Sequence, residues 1–337
     1  MIATVLLSVV ASFLVTLLIR NTAIKRQQLD VPNARSSHQR PTPRGAGTAI
    51  VVVFTIGLLV LTISDKLDLE NFVAIAIPGL LVAIVGYLDD RGKVTAARRR
   101  LVAHFVASAV AVYLLGGLPV MVVFGSPVYL GHVGNLFAIV YLVWMLNLFN
   151  FMDGIDSITG IETLTTCVTL AIFLFINTKS ELWRMPVLLS AAVAGFLYFN
   201  WPPAKIFLGD VGSGFIGFTI GTISLVIART EPLHTWAIII LLGVFIVDAT
   251  VTLIRRLLNK EHAYTAHRTH AFQHLAVDSG RHLAVSLGIA AINIFWLAPL
   301  AWLVTDEKID PVIGVTVTYT PLIILAIYLK AGKQKIN

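Results

Sequence analysis

One hydrophobic run of this chain ends in the sequence Gly86-Tyr87-Leu88-Asp89-Asp90-Arg91, with two adjacent aspartates at the end of a membrane-length segment. Two later segments also place acidic residues beside an apolar run: Asn147-Leu148-Phe149-Asn150-Phe151-Met152-Asp153-Gly154-Ile155-Asp156 and Phe207-Leu208-Gly209-Asp210-Val211-Gly212-Ser213-Gly214. Carboxylates in or beside bilayer spans are costly and rare, so they mark a functional site by default. The pattern therefore predicts chemistry at a membrane surface.

The composition excludes a soluble globular protein. Apolar residues make up 57% of the 337 residues and charged residues 13%, whereas soluble chains carry about 25% charged residues. A helix needs roughly 20 apolar residues to cross the hydrocarbon core. Eleven runs fit: 1 to 19, 46 to 64, 72 to 88, 101 to 117, 133 to 149, 160 to 177, 184 to 199, 213 to 229, 236 to 254, 284 to 304 and 311 to 329. The expected fold is an all-α polytopic membrane protein with about eleven transmembrane helices, forming one integral-membrane domain over residues 1–337.

The distribution of basic residues predicts the orientation, because cytoplasmic loops retain Lys and Arg. With the N-terminus periplasmic and the C-terminus cytoplasmic, 20 of the 25 basic residues fall inside and five outside. The inside loops are then 20–45, 89–100, 150–159, 200–212 and 255–283. Every acidic segment quoted above lies on the cytoplasmic side in this arrangement.

Two further classes of protein are excluded. The net charge of +7 comes from basic residues spread over membrane-flanking loops, without the interleaved aromatic residues that favour nucleic-acid binding. Anionic lipid headgroups and anionic substrates account for this charge better. The single cysteine, Cys167, excludes a disulfide framework and a cysteine-built metal site.

The Asp89-Asp90 pair favours a hard divalent cation. Two adjacent carboxylates in a partly buried cleft need a compensating cation or hydrogen bonds, and Mg²⁺ uses one or two carboxylates together with substrate phosphates. The alternative is a solvated helix end beside Arg91 and Lys93.

Four polar residues recur at every third position: Asn147, Asn150, Asp153 and Asp156. At helical spacing they lie roughly on one face and line one wall of a cleft. Asn and Asp are also ordinary end-of-helix residues, which is the alternative.

Asp210 lies in a Gly-rich turn that opens an apolar run. Such a turn directs backbone N–H groups at an anion, which favours phosphate. The alternative is a loop with a serine cap.

Two inside loops carry basic residues suited to phosphate. The first, residues 30–47, combines prolines and glycines with arginines that include Arg44, and arginine favours phosphate. The loop from residue 255 to 281 is rich in histidine, and Arg268, His270 and His274 are predicted to contact phosphate. A zinc site is the alternative there, although the nearby acids suit Mg²⁺ better. His104, His132 and His234 are interpreted as incidental interface residues without a role in the site.

The order of these segments resembles the polyprenyl-phosphate N-acetylhexosamine-1-phosphate transferase family, whose bacterial members act in the inner (cytoplasmic) membrane. The resemblance covers essentially the whole chain. It is carried by Pro32, Arg35, His38, Pro43, Gly45 and Gly47, the Asp89-Asp90 pair, the Asn-x-x-Asn-x-x-Asp-Gly-x-Asp segment, the stretch from residue 200 to 210 and the histidine-rich loop. The sequence from residue 266 to 274 lacks the consecutive histidines before Phe-Glu of the lipid I translocase and is more similar to the O-antigen-initiating branch.

The resemblance implies transfer of an N-acetylhexosamine-1-phosphate from a UDP-sugar to undecaprenyl phosphate, with release of UMP. It implies a Mg²⁺ cofactor, or Mn²⁺ in its place, and it is compatible with a homodimer. In the roles that the resemblance implies, Asn150 and Asp210 hold Mg²⁺ and Asp153 supports the site. Asp89 and Asp90 position the lipid phosphate or accept its proton. The uridine is held by Phe207, Asn200 and Asp156, and the diphosphate is contacted by Arg268, His270 and His274. A basic residue at the start of the next helix is one of Arg98, Arg99 and Arg100.

Several alternatives stay open at this point. An ion-coupled transporter would also use intramembrane acids, but near the midplane of broken helices and often in two repeated halves. A CDP-alcohol phosphotransferase is a second enzyme class, whose Asp-x-x-Asp-Gly-x-x-Ala-Arg signature the chain lacks. The identity of the sugar is open, as is the choice between direct transfer and a covalent intermediate on Asp89.

Overall fold

The computed structural model describes residues 1–32, 40–93, 96–178, 180–261 and 268–334. Within these residues the protein is almost entirely helical, with two short antiparallel strand pairs, β1–β2 and β3–β4. The α-helices are α1 (Ile2–Lys25), α2 (Gly47–Ile63), α3 (Leu69–Asp90), α4 (Ala97–Leu114), α5 (Gly131–Met152), α6 (Ile158–Asn177), α7 (Arg184–Asn200), α8 (Asp210–Ala228), α9 (Pro232–Leu241), α10 (Gly243–Leu258), α11 (Ala271–Ser279), α12 (His282–Ile292), α13 (Ala298–Thr305) and α14 (Pro311–Tyr328). The strands are β1 (Leu29–Asp30), β2 (Thr42–Pro43), β3 (Met121–Val123) and β4 (Ser126–Val128).

The predicted polytopic helical architecture is confirmed, but the structure supports fewer full spans than eleven. Eight helical segments of the described chain are long and apolar enough to cross a membrane, or nine if the bent pair α9–α10 is one span. Helix α2 has only 17 residues, and α4 begins with three arginines, so neither meets the same standard. The orientation of the termini stays a prediction.

Helix α8 forms the centre of the bundle and is completely buried along its apolar window. Helices α3 and α5 pack against it on two sides, and α1 packs against α7 at the periphery. By contrast, only 17% of the apolar window of α1 is buried, and its large apolar side chains face outward. This arrangement is typical of a membrane bundle, in which lipid covers the outer helices.

Small residues let α3 approach the start of α8 closely. A Cβ atom added at Gly86 would lie 2.6 Å from the carbonyl oxygen of Asp210, so only glycine fits there without a shift. Small residues at helix contacts allow such backbone approach in membranes. Because Gly86 is one turn before Asp89, this contact brings both aspartates of α3 to the first turn of α8.

Two of the expected straight spans are irregular. Helices α9 and α10 meet at a bend of 65°, where the sequence predicted one continuous helix over residues 236–254. The run from 284 to 304 contains a π-helical turn at Asn293–Leu297. Pro299 follows this turn and explains it, since proline cannot donate to the preceding turn and clashes with it.

The bundle has chemically different ends. Carboxyl and guanidinium groups from α3, α4 and α8 meet at one end, next to the first turn of α11. At the opposite end of α3 and α8, Arg229 Nη1 donates to Glu70 Oε1 at 3.0 Å. The acidic segments therefore share one end of the bundle, as the sequence predicted.

Candidate active site

A cavity of about 390 Å³ opens among α3, α4, α5, α8 and the start of α11. Its apolar wall comes from residues such as Val82, Leu101 and Leu146. The polar side chains that line it are Asp89, Arg100, His104, Asn147, Asn150, Asp153, Asp210, His270 and Gln273. Three of the four residues predicted to share one face of α5 therefore line one cavity, and Asp156 does not.

The adjacent aspartates of α3 face different partners. Asp90 accepts hydrogen bonds from the backbone N–H groups of Asp210 at 2.9 Å and Val211 at 3.2 Å. Its carboxylate thus caps the N-terminus of α8, which carries a partial positive charge. Asp89 lies in the cavity, where its carboxyl contacts that of Asp210. The geometry favours a positioning role for Asp90, and of the two aspartates Asp89 is the one that lines the cavity.

This cap corrects the expectation of a phosphate at the Gly-rich turn. Gly209 has a φ of +79°, and a Cβ atom there would lie 2.5 Å from Asp90 Oδ2. The turn therefore does present backbone N–H groups to an anion, but that anion is the protein's own Asp90. A phosphate at this cavity must be held mainly by side chains.

Two arginines neutralise Asp210. Arg44 Nη2 lies 2.5 Å from Asp210 Oδ1, and Arg44 Nε lies 3.0 Å from Asp90 Oδ1. Arg100 Nη1 lies 3.4 Å from Asp210 Oδ2 and also pairs with Asp89. The structure thus selects Arg100 from the three consecutive arginines of α4.

The backbone of Arg44 is fixed by the segment before α8. The N–H of Phe207 donates to Pro43 O at 2.8 Å, and the N–H of Gly45 donates to Phe207 O at 3.1 Å. Burial disfavours the charged form of Arg44, but attraction by Asp210 and Asp90 outweighs it and raises the pKa of the guanidinium. Phe207, predicted to stack on uridine, is half-buried and forms a parallel backbone bridge with Arg44.

Asn150 and Asp153 extend the polar wall on α5. Asn150 Nδ2 donates to Ser213 Oγ at 3.3 Å, and Asn150 also contacts Asp210. Asp153, just past the helix end, accepts a hydrogen bond from Thr159 Oγ1 at 2.8 Å. Burial raises the pKa of Asp153 to about 7, although the Thr159 hydroxyl opposes this shift. Asp153 therefore titrates near neutral pH.

Asp156 and Asn200 serve as loop connectors in the structure. Asp156 Oδ2 accepts from the N–H of Ala204 at 3.0 Å and lies 3.4 Å from His282 Nδ1. Asn200 Oδ1 accepts from the N–H of Ser157 at 2.9 Å, and its Nδ2 donates to Ile206 O at 3.0 Å. Both ends of the buried Asn200 amide are thus bonded to backbone, which favours a structural role over the predicted uridine contact.

The histidine-bearing segment is more buried than a solvated loop. His270 is 3% exposed and lines the cavity, with its Nδ1 at 3.3 Å from Asp248 Oδ1. Asp248 on α10 also accepts from the N–H groups of Ala271 at 3.0 Å and Phe272 at 3.1 Å. It therefore holds the first turn of α11, as Asp90 holds that of α8.

The remaining residues of this segment have different positions. His274 is 6% exposed, within α11, and Arg268 is half-buried just before it. Neither lines the cavity. Arg35, His38, His262 and His267 lie outside the described residues.

Four cavity or support residues were missed or left undecided from the sequence. Arg100 was one of three candidates, and His104 was interpreted as incidental although it lines the cavity one turn after Arg100. Gln273 also lines it. Asp248 was not singled out, yet a lone carboxylate inside an apolar run was a usable signal.

The fold and cavity together define a class of protein: a multi-pass membrane enzyme whose site combines clustered carboxylates with guanidinium groups. The model of the glycosyl transferase family 4 matches residues 72–228 of this chain. That range contains Asp89, Arg100, Asn150, Asp153 and Asp210.

Curated relatives extend the similarity over most of the chain. A Bacillus subtilis protein named "Probable undecaprenyl-phosphate N-acetylglucosaminyl 1-phosphate transferase" is 28% identical over 298 residues, covering 86% of this chain and 81% of its own. The phospho-N-acetylmuramoyl-pentapeptide-transferase of Streptococcus pneumoniae is 26% identical over 251 residues, covering 70% and 73%. That of Streptococcus mutans is 24% identical over 279 residues, covering 76% and 80%.

The family model and these relatives support assignment of the chain to the polyprenyl-phosphate hexosamine-1-phosphate transferase family. They likewise support a membrane glycosyl-1-phosphate transferase enzyme. The alternative of an ion-coupled transporter finds no support in these relatives, and the acids gather at one end of the bundle instead of its midplane.

Proposed function

We propose that the protein transfers an N-acetylhexosamine-1-phosphate from a UDP-sugar to undecaprenyl phosphate in the bacterial cytoplasmic membrane, a first membrane step of cell-surface polysaccharide synthesis. An oxygen of the lipid phosphate attacks the sugar-linked phosphorus of the donor. The bond from that phosphorus to the bridging oxygen breaks, and UMP leaves with that oxygen. The observation that carries the proposal is the cavity in which Asp89, Asp210, Arg100 and Asn150 converge.

The cluster fits a Mg²⁺ ion that is completed by substrate. Within the described residues, no group of three His, Cys, Asp or Glu side chains is arranged to hold a metal by itself. A site with few protein carboxylates suits Mg²⁺, since this ion takes one or two carboxylates together with phosphate oxygens. Asp210 and Asn150 are the proposed ligands, and the bound ion would neutralise charge on the transferring phosphoryl group.

The side chains around this position have distinct proposed tasks. Asp89 lies in the cavity beside Asp210 and orients the lipid phosphate. That phosphate has a second pKa of about 6 and scarcely needs a base at neutral pH. Arg100 and His270 face the same cavity and are suited to the donor diphosphate. Arg268 and His274 remain predicted donor contacts.

An apolar groove beside this cavity supports a lipid acceptor. A second cavity of about 310 Å³ lies among α10, α11, α12 and α14, with a lining that is almost entirely apolar. It reaches Asp248, which pairs with His270 of the first cavity, and Ala271 and Phe272, which directly follow His270. A long isoprenoid chain and a phosphate need neighbouring sites of these two kinds.

The proposed sugar donor rests on the names of the relatives, and the proposed branch of the family rests on the sequence pattern. The Bacillus relative is named for N-acetylglucosaminyl transfer, so we propose an N-acetylhexosamine donor. The O-antigen-initiating branch and the homodimer stay predictions.

One assay tests the proposal directly. Purified protein is incubated with undecaprenyl phosphate, Mg²⁺ and a panel of UDP-sugars, and UMP and lipid product are measured. We expect UMP release that requires both undecaprenyl phosphate and a divalent cation. Release of CMP from CDP-alcohols, or no product with any UDP-sugar, would contradict the proposal.

A further inference from the structure

Both carboxylate oxygens of Asp210 have a guanidinium partner. Arg44 lies 2.5 Å from Oδ1, and Arg100 lies 3.4 Å from Oδ2. Asp210 is also the carboxylate proposed to hold the divalent cation. The arginines therefore occupy, on this side chain, the positions that a metal ion would take.

The two guanidinium groups can move while their backbones stay fixed. The Arg44 side chain is 39% exposed and that of Arg100 is 34% exposed, whereas Asp90 is 7% exposed. The backbone of Arg44 is held by its bonds to the Phe207 segment. Asp90 is anchored by two backbone N–H groups, so it keeps α8 in place when Arg44 leaves it.

Charge balance favours an exchange of partners. A divalent cation brings two positive charges, and the donor diphosphate brings about two negative charges. If both bind, the cation takes Asp210 and the two guanidinium groups take the phosphates, so every charge keeps a partner. If the cation binds alone, it displaces both arginines from Asp210 and leaves them only Asp90 and Asp89, with no diphosphate to replace the contacts that they lose. If the donor binds alone, it removes the counter-ions of Asp210.

We propose that Arg44 and Arg100 are exchangeable counter-ions of Asp210 that couple binding of the divalent cation to binding of the donor diphosphate. Each ligand binds weakly alone and more tightly when the other is present. This inference rests on the proposed function, because it assumes a metal at Asp210 and a diphosphate donor. Coupling of this kind is reciprocal, so it can be measured from the side of the metal.

The test measures Mn²⁺ binding without turnover. Purified protein in detergent, without acceptor lipid, is titrated with Mn²⁺, and free Mn²⁺ is followed by electron paramagnetic resonance with and without UDP-N-acetylglucosamine. For the wild type we expect the donor to tighten Mn²⁺ binding about tenfold, within the usual range of coupling. Arg44→Gln should bind Mn²⁺ alone about tenfold more tightly than the wild type, and the donor should then add little.

Arg91→Gln is the matched control. Arg91 carries the same charge at the same end of α3, but its guanidinium lies over the Tyr87 ring at 4.3 Å and is solvent-exposed. Its loss should leave both Mn²⁺ affinity and coupling unchanged. Arg100→Gln provides a second variant with the same expected direction as Arg44→Gln, in case Arg44→Gln does not fold.

The outcomes separate the inference from the proposed function. If Asp210→Asn binds Mn²⁺ as the wild type does in the presence of donor, the proposed metal site is wrong. If Asp210→Asn loses the ion but both arginine variants match the wild type, only the exchange is wrong. Equal changes in Arg44→Gln and Arg91→Gln would also overturn it, because they would reflect general electrostatics.

Discussion

Replacing Asp89 or Asp90 by asparagine should impair different properties of the protein, turnover in one case and stability in the other. Asp90 holds the first turn of α8 through two backbone hydrogen bonds and pairs with Arg44. Asp89 lies in the cavity against the carboxyl of Asp210. We therefore expect Asp90→Asn to lower the stability of the protein and Asp89→Asn to lower turnover with little change in stability.

The magnitude follows from the bonds that asparagine cannot make. It keeps one carbonyl oxygen, so one of the two backbone bonds is lost and its amide group opposes a backbone N–H. A hydrogen bond to a charged group contributes roughly 1.5–3 kcal/mol, and Asp90 is only 7% exposed, which limits solvent screening. We expect a loss of about 2–4 kcal/mol for Asp90→Asn. Asp89→Asn weakens the pair with Arg100 but also removes a carboxylate next to another carboxylate, so stability should change by less than about 1 kcal/mol.

The chain contains its own reporter for this measurement. Its single cysteine, Cys167, is buried in α6, so its reaction with a thiol-reactive dye during heating reports unfolding. Asp90→Asn should lower the unfolding midpoint by about 5–10 °C, while UMP release by Asp89→Asn falls with the midpoint unchanged. Equal midpoints for the two variants would refute the assignment of Asp90 as the cap of α8.

Three further outcomes are expected. Asp210→Asn should reduce UMP release about a hundredfold or more, with little recovery in excess Mg²⁺; near-normal turnover would remove Asp210 from the site. Because the pKa of Asp153 is raised to about 7, UMP release should rise about tenfold from pH 6 to pH 8, and Thr159→Val should move this rise to higher pH; an unshifted profile would mean that Asp153 is not the group titrated. His270→Ala removes one of the partners of Asp248, so it should lower both the unfolding midpoint and the apparent affinity for the UDP-sugar, whereas His270→Asn should recover more of the midpoint; a silent His270→Ala would exclude this histidine from the site.

The sequence was sufficient to predict the helical class and the main members of the cavity. Apolar runs of membrane length mark the helices, and the costly carboxylates Asp89, Asp153 and Asp210 lie together in the structure. The spacing of Asn147, Asn150 and Asp153 also placed them on one face. These features depend on local periodicity and on the cost of burying charge, which the sequence displays directly.

Other features depend on contacts between distant segments. Nothing in the local sequence distinguishes Asp90 from Asp89 as the cap of α8, whose first residue lies 120 positions further along the chain. The choice of Arg100 among three arginines depends on how α4 is rotated against α3. The bend between α9 and α10 and the burial of His270 likewise follow from tertiary packing, which the local sequence does not display.

The anchoring of α11 through Asp248 has an evolutionary consequence. Asp248 accepts hydrogen bonds from the backbone N–H groups of Ala271 and Phe272. Every residue type except proline supplies such an N–H group. Side chains in this first turn can therefore be exchanged by mutation without releasing the helix. In the proposed enzyme, selection could then change Gln273, which lines the cavity, while Asp89 and Asp210 stay unchanged, which gives one scaffold a route to several donor specificities.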